Sequence, residues 1–107
     1  MGPQPLSWNN PETQQMLERA VAHHGVGELD KAEPIYRQVL QSTPDHPVAL
    51  HLLGVISDQL GRGEAAVELM SKALDAAPDY VEARNNLGLA LRGLGRDEEA
   101  IASFRRD

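Results

Sequence analysis

Residues 50–78 read LHLLGVISDQLGRGEAAVELMSKALDAAP, and the fold is decided there. Leu50, Leu53, Ile56 and Leu60 recur every three or four places, the period of one apolar helix face. The spacing predicts a helix from Val48 to Leu60. Gly61 ends it, because a left-handed backbone is cheap only for glycine. A second helix is expected from Gly63 or Glu64, with Val67, Met70, Ala73 and Leu74 on its apolar face and Pro78 closing it. The stretch therefore reads as a helical hairpin.

The hairpin recurs on both sides. Shifting the sequence by 34 places superimposes Ala32, Ala66 and Ala100, then Gly27, Gly61 and Gly95. The same shift pairs Gly54 with Gly88, Leu53 with Leu87, Leu60 with Leu94, Leu40 with Leu74, Pro44 with Pro78 and Asp45 with Asp79. The coincident residues have different structural roles, so biased composition does not explain them. Repeats are expected at 13–46, 47–80 and 81–107, the last incomplete, after an N-terminal extension of residues 1–12. Within the extension, Trp8 is a candidate to fold back over the first hairpin. Asn10 followed by Pro11 is a helix start. Asp45 and Asp79 are expected to cap the helices that follow them. Pro34 is expected in the first turn of its helix, where it removes little hydrogen bonding. Gly54, Gly88 and, in the first unit, Ala20 sit mid-helix. A glycine there costs about 1 kcal/mol against alanine, which argues for close approach of a neighbour.

Composition agrees with helix. Of 107 residues, 27 are Ala or Leu and only ten are Val or Ile, and strands favour β-branched and aromatic residues. The absence of cysteine excludes disulfides, thiolate metal sites and cysteine nucleophiles. A net charge of −6 opposes binding to a nucleic-acid backbone, so no nucleic-acid partner is expected. No apolar run approaches the roughly 20 residues that span a bilayer, and Met1 to Leu6 lack the features of a signal peptide. The chain is expected to be soluble and cytoplasmic.

These units resemble the tetratricopeptide repeat (TPR), which follows an aromatic-x2-Leu-Gly-x2-Tyr, Ala-x3-Phe, Pro pattern over 34 residues. The third unit reads Arg84-x2-Leu87-Gly88-x2-Leu91, then Ala100-x3-Phe104. The second reads Leu50-x2-Leu53-Gly54-x2-Ser57, then Ala66-x3-Met70 and Pro78. The first is degenerate at its start, Met16-x2-Arg19-Ala20-x2-His23, but closes with Ala32-x3-Tyr36 and Pro44. The resemblance implies an all-α, right-handed α-solenoid of three helix-turn-helix units. It implies a non-catalytic scaffold that holds a peptide segment of a protein partner in a concave groove. Carried over place by place, the groove residues are Leu17, Val21 and His24, then His51, Leu52, Val55, Asp58 and Gln59, then Glu82, Asn85, Asn86, Leu89 and Arg92.

Two subfamilies bear on the ligand. Co-chaperones that grip the C-terminal carboxylate of heat-shock chaperones use Lys, Arg and Asn at places matched here by Leu17, Val21, Leu52, Glu82 and Asn86. Only Asn86 fits, and Glu82 opposes a carboxylate. The stretch from Tyr80 to Gly88 is similar to repeats attached to O-linked N-acetylglucosamine transferases, whose asparagine ladder Asn86 would join, although Leu52 and Glu18 do not continue it. That likeness implies the alternative of a regulatory or substrate-presenting part of a larger enzyme such as a glycosyltransferase.

Other constellations read blandly. His23 and His24 point about 100° apart on a helix and chelate poorly together; His23 takes a place usually filled by a packing aromatic and is expected to be buried. Ser57, His51 and Asp58 have no elbow or oxyanion hole beside them, and Gly61-Arg62-Gly63 lacks the Gly-Lys of a phosphate loop. No enzyme activity, cofactor or metal is expected. Ile101 and Phe104 should lie on a last helix with no outer neighbour, open to a further repeat or, in a homo-oligomer, to a second copy.

Overall fold

The computed structural model describes residues 10–105. Six helices run in order: α1 (Pro11–Gly25), α2 (Leu29–Ser42), α3 (Pro47–Gln59), α4 (Gly63–Ala76), α5 (Val81–Gly93) and α6 (Asp97–Phe104). No strand occurs among the described residues. Each helix packs on the next, and α3 also touches α5. The odd-numbered helices therefore form one layer and the even-numbered helices another. The molecule measures 39 × 35 × 18 Å, and its thinnest dimension is that of two helix layers about 8–10 Å apart. It is an all-α solenoid of three helical hairpins. Trp8 and Leu6 lie outside the described residues.

The turn within each hairpin follows from one glycine. Gly27, Gly61 and Gly95 have φ of 83°, 80° and 79°. That backbone lets two following N–H groups turn back onto the helix end. Gly61 and Arg62 donate to the carbonyls of Asp58 and Ser57, and the same pair of bonds recurs after α1 and α5. This is a Schellman motif, which satisfies carbonyls that a helix end leaves open.

Helix starts differ from the sequence expectation. Asn10 caps α1 as expected, its side chain accepting from the N–H groups of Glu12 and Thr13, with Pro11 in the first turn. Asp45 and Asp79 are not the caps. The α3 cap is His46, whose Nδ1 accepts from the Ala49 N–H, and α5 starts from Tyr80 with no side-chain cap bond. The Pro44 and Pro78 turns run one residue further before the helix begins. Pro34 is also further in than expected. With α2 starting at Leu29, Pro34 is its sixth residue and forgoes a bond to the Asp30 carbonyl.

Two apolar clusters hold the three hairpins together, one at each junction. At the first, Leu17, Ala20, Tyr36 and Val39 meet Ala49, Leu53 and Ile56. At the second, Ala66, Met70, Ala73 and Leu74 meet Ala83, Leu87, Ala90 and Leu91. The small residues permit close approach. A Cβ on Gly54 would stand 2.9 Å from Met70 Cγ, and one on Gly88 would stand 2.5 Å from the Phe104 ring. At the end of the stack Ile101 and Phe104 remain 52% and 41% exposed.

Candidate peptide-binding face

The layer of α1, α3 and α5 presents the expected groove places. Repeat register puts Leu17, His51 and Asn85 at one level, Val21, Val55 and Leu89 at the next, and His24, Asp58 and Arg92 at the third. Leu17 and His51 are closed to a ligand, being 7% and 5% exposed. Leu52, Val55 and Asn86 are half-buried, and Val21, Asp58, Gln59, Glu82, Asn85, Leu89 and Arg92 are exposed. The open surface thus comprises an apolar middle and a polar surround.

Neighbouring inner helices are joined by side-chain hydrogen bonds. His24 Nε2 donates to Gln59 Oε1 at 2.8 Å, tying α1 to α3. Asn86 Nδ2 donates to His51 Nε2 at 2.8 Å, tying α3 to α5. That bond places the ring proton on Nδ1, which donates to the Tyr80 hydroxyl oxygen at 2.9 Å. The two rings also meet edge to face, with centroids 4.9 Å apart. Burial holds the His51 pKa below its usual value, while the Glu82 carboxylate opposes that shift. Burial raises the Tyr80 pKa, and Glu82 adds to it.

Both ties join residues 35 apart, one more than the repeat. The extra step arises because a residue facing forward on one helix meets the next place on the following helix. Like places lie 34 apart, so the repeat register does not reveal these pairs, and Tyr80, which precedes α5 where the preceding unit has His46 before α3, carries no periodic signal.

The outer layer is tied by charge instead. Arg62 reaches Glu33 at 3.1 Å and Arg96 reaches Glu64 at 3.0 Å. Arg37 also holds Glu33, and its hydrogen bond is the main reason that carboxyl titrates below its usual range. His23 is half-exposed rather than buried, because its Nδ1 pairs with Glu28 at 2.8 Å over the α1–α2 turn. Among the described residues no group of His, Cys, Asp or Glu is placed to hold a metal ion. His51 bonds to Tyr80 and Asn86, and neither bond serves Ser57 or Asp58. No helix among the described residues is long and apolar enough to cross a membrane. Clefts of about 590 Å³ open beside Gln15, Met16 and Arg19 on α1 and beside Glu64, Val67 and Glu68 on α4, and one of about 420 Å³ lies between α4 and α6 over Leu87 and Leu91.

The family model for the tetratricopeptide repeat matches residues 17–81 and 58–106, and the chain belongs to the tetratricopeptide repeat family. Among solved structures, the O-GlcNAc transferase of Thermobaculum terrenum, in a mutant form, is 28% identical with a TM-score of 0.83; the match covers 96% of this chain and 19% of that one. A MamA structure labelled MSR-1 is 30% identical with a TM-score of 0.75, covering 87% of this chain and 53% of that one. The second TPR of Spaghetti (RPAP3), bound to the HSP90 peptide SRMEEVD, has a TM-score of 0.84 at 17% identity, covering 94% of both chains. The chain spans 51% and 54% of the length of two further MamA structures that it matches. No curated protein matched.

Proposed function

We propose that this chain is a non-catalytic interaction module that binds a peptide segment of a protein partner across the inner face of α1, α3 and α5. The observation that carries the reading is the open, preformed row of Val21, Val55 and Leu89 with Asn85 beside it. Its scaffold is fixed by cross-helix bonds, so binding requires little ordering of the protein. A peptide-bound TPR of the same shape supports the reading. The cationic carboxylate clamp is not reproduced: Leu17 is buried, Val21 and Leu52 carry no charge, and Glu82 is an anion. Selecting a displayed random-peptide library on the wild type and on Asn85→Ala/Leu89→Glu tests the proposal. Peptides that lose binding to the variant support it; a set bound equally by both ends it.

A second reading has its own observation. The match to an O-GlcNAc transferase takes in nearly all of this chain and under one fifth of that one. This suits a regulatory or substrate-presenting segment of a larger enzyme. Sequencing the surrounding reading frame tests it, and a frame without a catalytic domain sinks it. The exposed Ile101 and Phe104 also suit self-association through the α6 end. Light scattering over a concentration series tests this, and a constant monomer mass excludes it.

A further inference from the structure

The two ends of the stack are unlike, and the difference dictates how copies of the chain meet. Tyr36, Met70 and Phe104 occupy one place in successive units. Tyr36 and Met70, each followed by a further hairpin, are 0% and 1% exposed, whereas Phe104 is 41% exposed. Ile101, at the place of the half-buried Val67, is 52% exposed. The α6 end is therefore the surface that each earlier hairpin buries under the next, here left open to water. Covering it is favourable by the apolar area removed.

The α1 end is built otherwise. Helix α3 packs on the hairpin before it through Ala49 and Leu53, and α5 does so through Ala83 and Leu87. At the matching places α1 carries Gln15 and Arg19, both exposed. Seating the α6 of another copy there would strip water from an amide and a guanidinium, which is costly without new partners. Head-to-tail joining, the kind that extends without closing, is thus opposed. What a second copy has to offer α6 is its own α6.

Charge along α6 sets the orientation. Asp97, Ile101, Phe104 and Arg105 are exposed and fall on one side of the helix, at steps of three and four from Ile101. Asp97 lies four residues before Ile101 and Arg105 four after it, and Arg105 keeps a helical backbone. The face is thus acidic at one end, apolar at its middle and basic at the other. A two-fold axis at Ile101 sets two α6 helices antiparallel, brings their Ile101 side chains together and places each Asp97 opposite the partner's Arg105. Parallel pairing would instead set acid on acid and base on base, which opposes association.

We infer that two copies join through α6, antiparallel about a two-fold axis at Ile101, and that assembly closes at the dimer. This rests on the self-association reading above. The contact is one short helix from each copy, which places it among small, weak interfaces, with a Kd of about 100 μM. Sedimentation equilibrium of the full chain from about 10 μM to about 1 mM brackets that value. Salt at about 0.15 M screens the net charge of −6 on each copy beyond about 8 Å and weakens pairs in contact much less. The mass should rise toward twice that of the monomer and no further. Ile101→Glu should weaken pairing at least about tenfold. Asp97→Arg and Arg105→Glu should each weaken it about threefold or more, and the two together should restore it, because the swap again sets each base opposite an acid. All three positions are exposed, and an unchanged circular dichroism melting curve at the lowest concentration verifies that each variant folds. Growth beyond the dimer that Ile101→Glu abolishes, or a double variant no better than the singles, overturns this inference and leaves self-association through α6 standing. A constant monomer mass, or pairing indifferent to Ile101→Glu, ends both and leaves the α6 face to a helix of another protein or of a longer reading frame.

Discussion

The two junctions between hairpins share one register and are tied at different levels. At the first, His24 bonds to Gln59 near the C-termini of α1 and α3, while Leu17 and Leu52 join the apolar cluster nearer the other end. At the second, His51 bonds to Asn86 just before the midpoints of α3 and α5. Its far end has no equivalent bond, because Gly93 offers Asp58 no side chain. The cores differ as well. Leu53 in the first is 1% exposed, whereas Leu87 at the same repeat place in the second is 9% exposed beside a cleft of about 420 Å³. The repeat thus settles which places face each other, and each facing pair is free to be apolar, hydrogen-bonded or empty.

The largest effect should come from the cores. Leu53→Ala should cost about 2–5 kcal/mol, and Leu87→Ala should fall at the low end of that range, since its site is already partly open to water. Urea melts of both variants check this, and equal costs would break the contrast between the junctions. Next come the ties. Asn86→Ala leaves the His51 Nε2 largely buried without its partner and should cost about 1–3 kcal/mol. Gln59→Ala removes an exposed bond whose partner returns to water and should cost less, about 0.5 kcal/mol.

Acid should separate the junctions further. Burial lowers the folded-state pKa of His51 below the ordinary 6.5. Between those two values the unfolded chain binds more protons, so stability is lost as pH falls below about 6.5. Hydrogen exchange at pH 7 and pH 5 should show α5 losing protection before α1, and His51→Gln should flatten that response. The smallest effect should be a gain. The Tyr36 hydroxyl is buried with no hydrogen-bond partner among the described residues, and burial pushes its pKa up to about 12. Tyr36→Phe should be neutral or stabilise by up to about 1 kcal/mol in a thermal melt. A clear loss would mean that the hydroxyl has a hydrogen-bond partner in solution.

Much of this was legible in the chain because it depends on local chemistry. The 34-residue spacing of Gly27, Gly61 and Gly95 marks three left-handed turns, and Ala32, Ala66 and Ala100 mark three close contacts. Period and small residues then dictate paired helices that bury their faces only by stacking. Asp45 and Asp79 do not cap the helices that follow, because turn length decides which residue reaches the free N–H groups, and one residue more or less changes the answer. What the tertiary structure alone decided is how one helix addresses the next. The offset of 35 that joins His24 to Gln59 and His51 to Asn86, the closure of Leu17 and His51, and the recruitment of Tyr80 all depend on the relative placement of helices. That placement is set by the volumes packed between them, and no single segment of sequence carries it.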